Sequence, residues 1–424
     1  MTSPVECLPV EVFDIIASGL DTPAYQQLRL TSRQLHLLTL STFAKRCFSE
    51  LTTTLGSPSL DRLVRVSKHG YFCKAVTFLD IKLLNHRDYM LLTNIHKVGI
   101  YPPPKRFSSV PGVKQEHISS EATLYDDVLG PQYPQCITAR LTRALEGFPN
   151  LKRIRFRARY NDPNVWRSIA MPEGDQVFRT KCFQAVFDAI LKSEIQLEDF
   201  STAKQKRSTI LSKSASLAYP ALQFPFSTMP SLQHCFARLQ SLKLAIVAAH
   251  NGDSRIPGWE NGLSQFLACA PDLRSLTLSL DRTRHVSHYS AAIIRSLALS
   301  CRLEALESFH LLNCSLHESD LIKYLITHAK SLTCISLSTM QLLTWNWETF
   351  WTSLQGLGAL RRVHVACLEG VRGLVTFRCG NSLKSKLVLD PQKAESSMGE
   401  MLEDLAAAVR GEGSWVPDAF GGSL

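Results

Sequence analysis

The sequence predicts an α/β chain in two parts: a short three-helix module at the front, then a curved solenoid of parallel strands and helices. Three observations predict it. Helix starts and stops crowd into residues 4–48. A leucine followed by two further spaced apolar residues recurs through the second half. The segments carrying that pattern alternate apolar with polar residues. With 424 residues, 45% hydrophobic and 20% charged, the chain has ordinary globular composition and ample material for a core.

In the first module Pro9 stands where a first helical position accepts proline, whose missing N–H has no partner there anyway. Val12, Phe13, Ile16 and Leu20 follow at helical spacing. Asp21-Thr22-Pro23 ends that helix and starts another, a capping oxygen just ahead of a proline. Leu28 and Leu30 come next, and Thr31 or Ser32 can cap a third helix carrying Leu35, Leu38 and Phe43. Three helices in about 40 residues enclose a very small core, and units of that size are marginal alone. A docked module is expected.

The run Leu8-Pro9-Val10-Glu11, the aliphatics Val12, Ile15, Ile16 and Leu20, and the stretch Leu28-Arg29-Leu30-Thr31-Ser32-Arg33 resemble the F-box family. That motif has a Leu-Pro-x-Glu opening, an aliphatic first helix and a later Leu-Arg-x-x-Ser-Arg stretch. In the family the module binds the Skp adaptor of a Skp–cullin–F-box ubiquitin ligase. The resemblance implies that Leu8 and Pro9 open the adaptor contact. Val12, Ile16, Leu28 and Leu30 would supply apolar surface to the adaptor or to the small core behind it. The chain departs from the pattern at Gln34-Leu35-His36, where many members carry an aromatic, and at Tyr25-Gln26-Gln27, a stretch often more aliphatic. The other reading of these helices is an N-terminal cap on the rest of the chain.

The recurring pattern is L-x-x-Φ-x-Φ, with Φ any apolar residue. It occurs as Leu151-Ile154-Phe156, Leu239-Leu242-Leu244, Leu273-Leu276-Leu278, Leu306-Phe309-Leu311, Leu332-Ile335-Leu337 and Leu360-Val363-Val365. Weaker copies are Cys73-Val76-Phe78 and Leu197-Phe200-Thr202. The last five clear copies begin at 239, 273, 306, 332 and 360, so they lie 34, 33, 26 and 28 residues apart. These spacings are near those of leucine-rich repeats, and Leu306-x-x-Phe309-x-Leu311-x-x-Cys314-x-Leu316 completes the longer consensus. Asp281, Met340 and Leu368 stand where Cys314 does, so the units are degenerate and leucine-rich-repeat-like. Between them Leu263, Phe266 and Leu267, then Ile293, Ile294, Leu297 and Leu299, then Leu321, Ile322, Leu325 and Ile326, then Trp347, Phe350, Trp351 and Leu354 read as helical faces. Strand then helix, repeated, gives a parallel sheet on one wall and helices on the other, each unit closing its core on the next. A doubly wound sheet, the competing fold, needs strands apolar on both faces. Ser275, Thr277 and Ser279 alternate with Leu276, Leu278 and Leu280 instead.

The expected organisation is therefore a module at 4–48, a connecting helix or linker at 49–72, an array at 73–394 with loop insertions near 101–135 and 201–230, and a tail at 395–424. The tail holds one helix, in Met401–Gly411.

The residues between the buried positions would line the free face. They are Arg153, Arg155 and Arg157, then Lys243, Ser275, Thr277, Ser279, Ser308, His310, Cys334, Ser336, Ser338, Arg362 and His364. The first end is strongly basic, and arginine pairs with carboxylate or phosphate through two bonds. Arg153, Arg155, Arg157, Lys243, His310, Arg362 and His364 are the candidate substrate-binding residues, for an acidic or phosphorylated target protein. A solvated strand face that aids solubility is the alternative.

Chemistry has no visible carrier. No glycine-rich phosphate loop, nucleophile elbow or zinc-protease helix occurs, and the twelve cysteines are single, with no CxxC pair. His285 and His288 read as polar loop residues, so no catalytic residue, metal or cofactor is expected. No secretory signal or membrane-length apolar run is visible, which points to the cytoplasm or nucleus, with buried free thiols. Lys and Arg total 47 against 37 for Asp and Glu, but the excess is dispersed, and nucleic acid is the weaker partner class. The expected function is a non-enzymatic substrate receptor that joins the Skp adaptor and cullin ligase to a target. The alternative is a repeat scaffold with no ubiquitin link.

Overall fold

The structure, a computed structural model, describes residues 8–83, 135–158, 173–205, 211–212, 217–247, 258, 260–280, 287–344, 347–370, 373–375, 377–379, 382–392 and 396–410. The front module contains α1 (Val10–Ser18), α2 (Thr22–Thr31), α3 (Arg33–Leu38) and α4 (Leu40–Phe48). Pro9 is the N-cap of α1, one place earlier than its sequence position suggests. Asp21 caps α2, its carboxylate accepting from the Ala24 N–H at 2.8 Å. Ser32 caps α3 by accepting from the Leu35 N–H at 3.1 Å.

The expected third helix is two helices, broken at Thr39. The Tyr25 hydroxyl donates to the Thr39 carbonyl at 3.0 Å, and Arg29 donates to the Thr39 hydroxyl at 3.1 Å. These long-range bonds hold the joint between α3 and α4. Phe13, Ala17, Tyr25 and Leu35 form the small core, with Leu8, Leu20, Leu28, Leu38 and Phe43 packed around it.

The second part runs β1 (Glu50–Thr53), α5 (Ser57–Ser67), β2 (Phe78–Leu83), α6 (Gln135–Glu146), β3 (Arg153–Ala158), α7 (Glu173–Ser193) and β4 (Asp199–Ser201). After the short pieces β5 (Lys204–Gln205), β6 (Leu211–Ser212) and β7 (Leu217–Ala218) come α8 (Met229–Phe236), β8 (Ser241–Val247), α9 (Asn261–Ala268) and β9 (Ser275–Ser279). Next are α10 (Ser287–Ser300), β10 (Ser308–Leu316), α11 (Glu318–Thr327), β11 (Cys334–Leu342), α12 (Trp347–Leu354) and β12 (Arg362–Gly370). The end is formed by β13 (Gly373–Leu374), β14 (Phe377–Cys379), β15 (Ser382–Lys384), β16 (Lys386–Leu389) and α13 (Met398–Arg410).

Strands β1, β2, β3, β4, β8, β9, β10, β11 and β12 lie side by side in that order, each parallel to the next, and β16 returns antiparallel on β12. A doubly wound sheet reverses its strand order at a switch point; this one does not, and it is not closed. Alternate strand residues, among them Leu79, Ile154, Phe200, Leu242, Leu276, Phe309, Ile335 and Val363, join the helices in one continuous core on one side of the sheet. The fold is α/β, mostly parallel and solenoid-like.

The repeat pattern maps onto the strands with a constant offset. Leu151, Leu197, Leu239, Leu273, Leu306, Leu332 and Leu360 each precede their strand by two residues, and all are buried. The copy at Cys73-Val76-Phe78 is out of step. Pairing sets Leu79 opposite Ile154 and Ile81 opposite Phe156, so the copy in register is Val76-Leu79-Ile81. The segment 49–72, expected as a connector, already carries β1 and α5, and β1 pairs with β2. Residues 201–230 are expected as loop, yet Ala203, Leu217, Ala218, Ala221 and Leu222 are buried, and α8 begins at Met229. Leu299 and Ile326 are exposed near the ends of α10 and α11, off the faces assigned to them. The insertion near 101–135 lies outside the described residues, apart from Gln135 at the start of α6. The tail helix, α13, buries Met401, Leu402, Leu405 and Ala406 in the main core.

The longer consensus has a physical cause. Asn313, Thr339 and Cys367, each the sixth residue of its strand, have φ of 54°, 55° and 52°. Pairing skips them and resumes at Cys314, Met340 and Leu368, which return to the core. A left-handed residue thus inserts one extra step between buried positions in three successive units. Asparagine tolerates that conformation, whereas β-branched threonine is strained in it. Thr339→Asn is expected to stabilise the chain by about 1 kcal/mol. It would raise the urea midpoint at constant m-value; no rise would mean that Thr339 stores no strain.

Candidate protein-docking surfaces

Folding of the front module decides which apolar side chains stay outside. Of the ten large hydrophobics that are exposed among the described residues, six lie between residues 10 and 37: Val10, Val12, Ile15, Ile16, Leu30 and Leu37. Such residues scattered singly need no explanation, but their concentration on one small unit makes that unit a candidate contact surface. Ile15 is 74% exposed, Leu30 78% and Leu37 68%. Among the residues expected to meet an adaptor, Pro9, Val12, Ile16 and Leu30 are exposed, and Leu8 and Leu28 are half-buried beside the module core. Leu37 was not legible as part of this surface. Its signal is that Leu35 and Leu38 already occupy the inner face of α3.

Two other motif residues, Arg29 and Ser32, have internal duties. Arg29 is buried, bound to Thr39 and stacked over Phe43 with its guanidinium carbon 3.8 Å from the ring centroid. Ser32 is a helix cap. The module is joined to the array by aromatic contacts. Tyr25 stacks on Phe43, Phe43 meets Phe48 and Phe72 edge-on, and Phe72 is sandwiched against Phe48 and His69 at centroid distances of 4.2 and 4.0 Å. Phe48 ends the module and Phe72 lies just ahead of β2.

The free face of the sheet forms a second surface. One register row crosses nine strands: Thr52, Asp80, Arg155, Ser201, Lys243, Thr277, His310, Ser336 and His364. Every one is polar. The face is less wet than the alternation suggests, because Thr277, Ser336 and Ser338 are buried, and Leu312 packs on Ala203.

At the basic end Asp80 is buried between two arginines. Arg157 donates through Nε at 2.9 Å and Nη2 at 2.6 Å, and Arg155 through Nε at 2.8 Å. Burial opposes the charge on Asp80, but these bonds hold its carboxyl below the usual carboxylate range. Arg157 is buried in consequence, and Arg153 and Arg155 lie over Phe78. Arg362 donates to Asp390 at 3.0 Å. Of the seven candidate substrate-binding residues, Arg155, Arg157 and Arg362 are therefore partnered, Arg153 is exposed, and Lys243, His310 and His364 share the row across the centre.

Burial, reinforced by His364 and Lys243 nearby, lowers the His310 pKa to about 4. His328 is also lowered by burial. Its ring is fixed between the Leu303 N–H, 3.0 Å from Nε2, and the Tyr324 carbonyl, 2.7 Å from Nδ1.

Arg157→Met leaves Asp80 buried with half its pairing and is expected to cost about 3–5 kcal/mol. Arg153→Gln, at an exposed position that gives up only its place over Phe78, should cost about 1 kcal/mol or less. Equal urea midpoints for the two variants would contradict the assignment of Arg157 to the framework. For pH, a histidine whose pKa is lower folded than unfolded contributes its full stability above about pH 6.5. For His310 that contribution drains away as pH falls toward 4. Urea midpoints should drop between pH 7 and 4.5, and His310→Gln should flatten the drop; an unaltered slope would refute this.

The ten cysteines described are all free, five of them buried and Cys136 exposed. Among the described residues no group of three His, Cys, Asp or Glu side chains could hold a metal ion, and no helix is long and apolar enough to cross a membrane. His288 falls in the first turn of α10, whereas His285 lies outside the described residues. No family model matches the chain, and no curated protein sequence matches it.

Proposed function

We propose that the chain is a substrate receptor of a Skp–cullin–F-box ubiquitin ligase. The front module takes the Skp adaptor, the array takes a target protein on its free face, and another subunit performs the transfer. The observation that carries this reading is the exposure of Val12, Ile15, Ile16 and Leu30 on a module in which the motif residues Arg29 and Ser32 are used to fold it. A unit of four short helices with this much apolar surface outside is built to be covered. The aromatic contacts from Tyr25 to His69 support the reading further, since a receptor must hold its target at a fixed place relative to the ligase. Its contribution is effective concentration and orientation, not acid–base chemistry.

The test is co-purification with the Skp adaptor. Ile16→Asp and Leu30→Asp are both expected to weaken adaptor capture at least tenfold. Thermal stability should stay close to that of the parent chain, because both side chains face solvent. Replacement of Leu8 and Pro9 should also abolish capture. An intact chain that recruits no adaptor would return the function to a repeat scaffold without a ubiquitin link.

A further inference from the structure

We propose that Thr22 is a modification site: a proline-directed protein kinase phosphorylates its hydroxyl, and Arg46 receives the phosphate. The proposal concerns the turn between α1 and α2. It stands whether or not the module takes an adaptor.

Proline-directed kinases act on a serine or threonine followed by proline. The chain has 20 prolines, and only Pro4, Pro23 and Pro58 follow a hydroxyl residue. All three fall within the first 58 of 424 residues, so the motif is confined to the front of the chain. Ser3 lies outside the described residues, and Ser57 opens α5. Thr22 is the member of the three that the fold presents at a surface turn.

Helix α1 ends at Ser18 and α2 begins at Thr22. Asp21, Thr22, Pro23 and Ala24 are all exposed. The Thr22 hydroxyl makes no hydrogen bond with a described residue. Proline biases the residue ahead of it toward extended backbone, the form in which a kinase cleft takes its substrate. Opening the turn costs little, because Pro23 has no N–H to lose there. The bonds to be given up are those from the Ala24 N–H to the Asp21 carboxylate and from the Tyr25 N–H to the Asp21 carbonyl.

The receiving group comes from α4. Arg46 donates through Nη2 to the Leu20 carbonyl, and its guanidinium carbon lies 5.5 Å from the Tyr25 ring centroid. Leu20 and Tyr25 bracket Thr22 in sequence, so the guanidinium stands at the same turn. Arg46 is exposed and forms no ion pair with a described residue. A guanidinium has five N–H donors and pairs with phosphate oxygens through two parallel bonds. A phosphate brings close to two negative charges. The Asp21 carboxylate opposes it, but that group is engaged by the Ala24 N–H.

In the transfer the Thr22 oxygen attacks the γ-phosphorus of ATP. The new O–P bond forms as the bond to the β–γ bridging oxygen breaks. ADP leaves, and the kinase's base takes the hydroxyl proton. The product ties the α1–α2 turn to α4 by charge-assisted bonds, in a unit whose core holds only Phe13, Ala17, Tyr25 and Leu35.

The experiment incubates the full chain with ATP and magnesium, and with a cyclin-dependent or a mitogen-activated kinase in separate reactions. Sites are mapped by mass spectrometry. Thr22 is expected to carry most of the label, and Thr22→Val to lose it. The phosphate is then titrated by phosphorus NMR. Its midpoint should lie about half a pH unit or more below that of a phosphorylated peptide spanning residues 18–27. Arg46→Lys should keep most of that difference, and Arg46→Met should abolish it. Hydrogen exchange of the α1 and α2 amides should slow several-fold on phosphorylation of the parent chain, and not in Arg46→Met. Failure of both kinases to label Thr22, or a parent midpoint equal to the peptide's, would overturn the proposal. So would faster exchange in α1 and α2 after labelling, which would make the phosphate a disruptor of the turn.

Discussion

A single strand of this array has one apolar face a few residues long, too little to exclude water from anything. It is buried because its neighbour repeats the same alternation at the same register, and the next neighbour does so again. Ile154, Phe200, Leu242, Leu276, Phe309, Ile335 and Val363 are opposite one another in an unbroken series across seven strands. A slip of one residue anywhere would turn an apolar row outward and a polar row in. The leucine two places ahead of each strand fixes that register, because it is buried with the same helices and leaves the strand one starting point. The ends need separate treatment, since a terminal unit has no neighbour to complete it. At the far end β16 turns back along β12, and α13 packs against α12 to close the core.

The same register that buries one face lines up the other. Nine polar residues fall into one row because the apolar series forces them there. The chain deals with the row in two ways. Toward the front, Asp80 binds two arginines one strand away, so Arg155 and Arg157 are engaged in holding β2 to β3. Toward the middle no comparable pairing occurs among the described residues, and hydroxyl, ammonium and imidazole stand side by side unpaired.

How much of this was legible depends on the range of the interactions. The repeated leucines and the alternation behind them are local, and they disclosed the parallel sheet, the position of its later strands and the helical faces at Leu263, Leu321 and Trp347. β1 was hidden because Glu50-Leu51-Thr52-Thr53 holds one apolar residue, and it becomes a strand only by pairing with β2. The copy near Cys73 was misregistered because two triplets three residues apart both satisfy the pattern, and only pairing with β3 chooses between them. The break at Thr39 depends on Tyr25 and Arg29, which are far from it along the chain. The pairing of Asp80 with Arg157 spans 77 residues, and no pattern of charges in sequence announces it. Pattern shows which side of a strand a residue occupies; it does not show whether that residue is already spoken for.

That distinction bears on the front module as well. Its helices can be assigned from caps and spacing, but their surface is decided by subtraction. Phe13, Ala17, Tyr25 and Leu35 fill the interior, and the residues left over on the same helices are apolar and outside. A core of four buried residues contributes little by itself. The module's order therefore depends on its second contact, where Phe43 and Phe48 run on to Phe72 and His69. Ring contacts on more than one side of Phe43 and Phe72 thus tie the module to the first units of the sheet. On the receptor reading, that attachment places the module's apolar surface at the β1 end of the sheet, and the count of strands sets its distance from anything held along the free face.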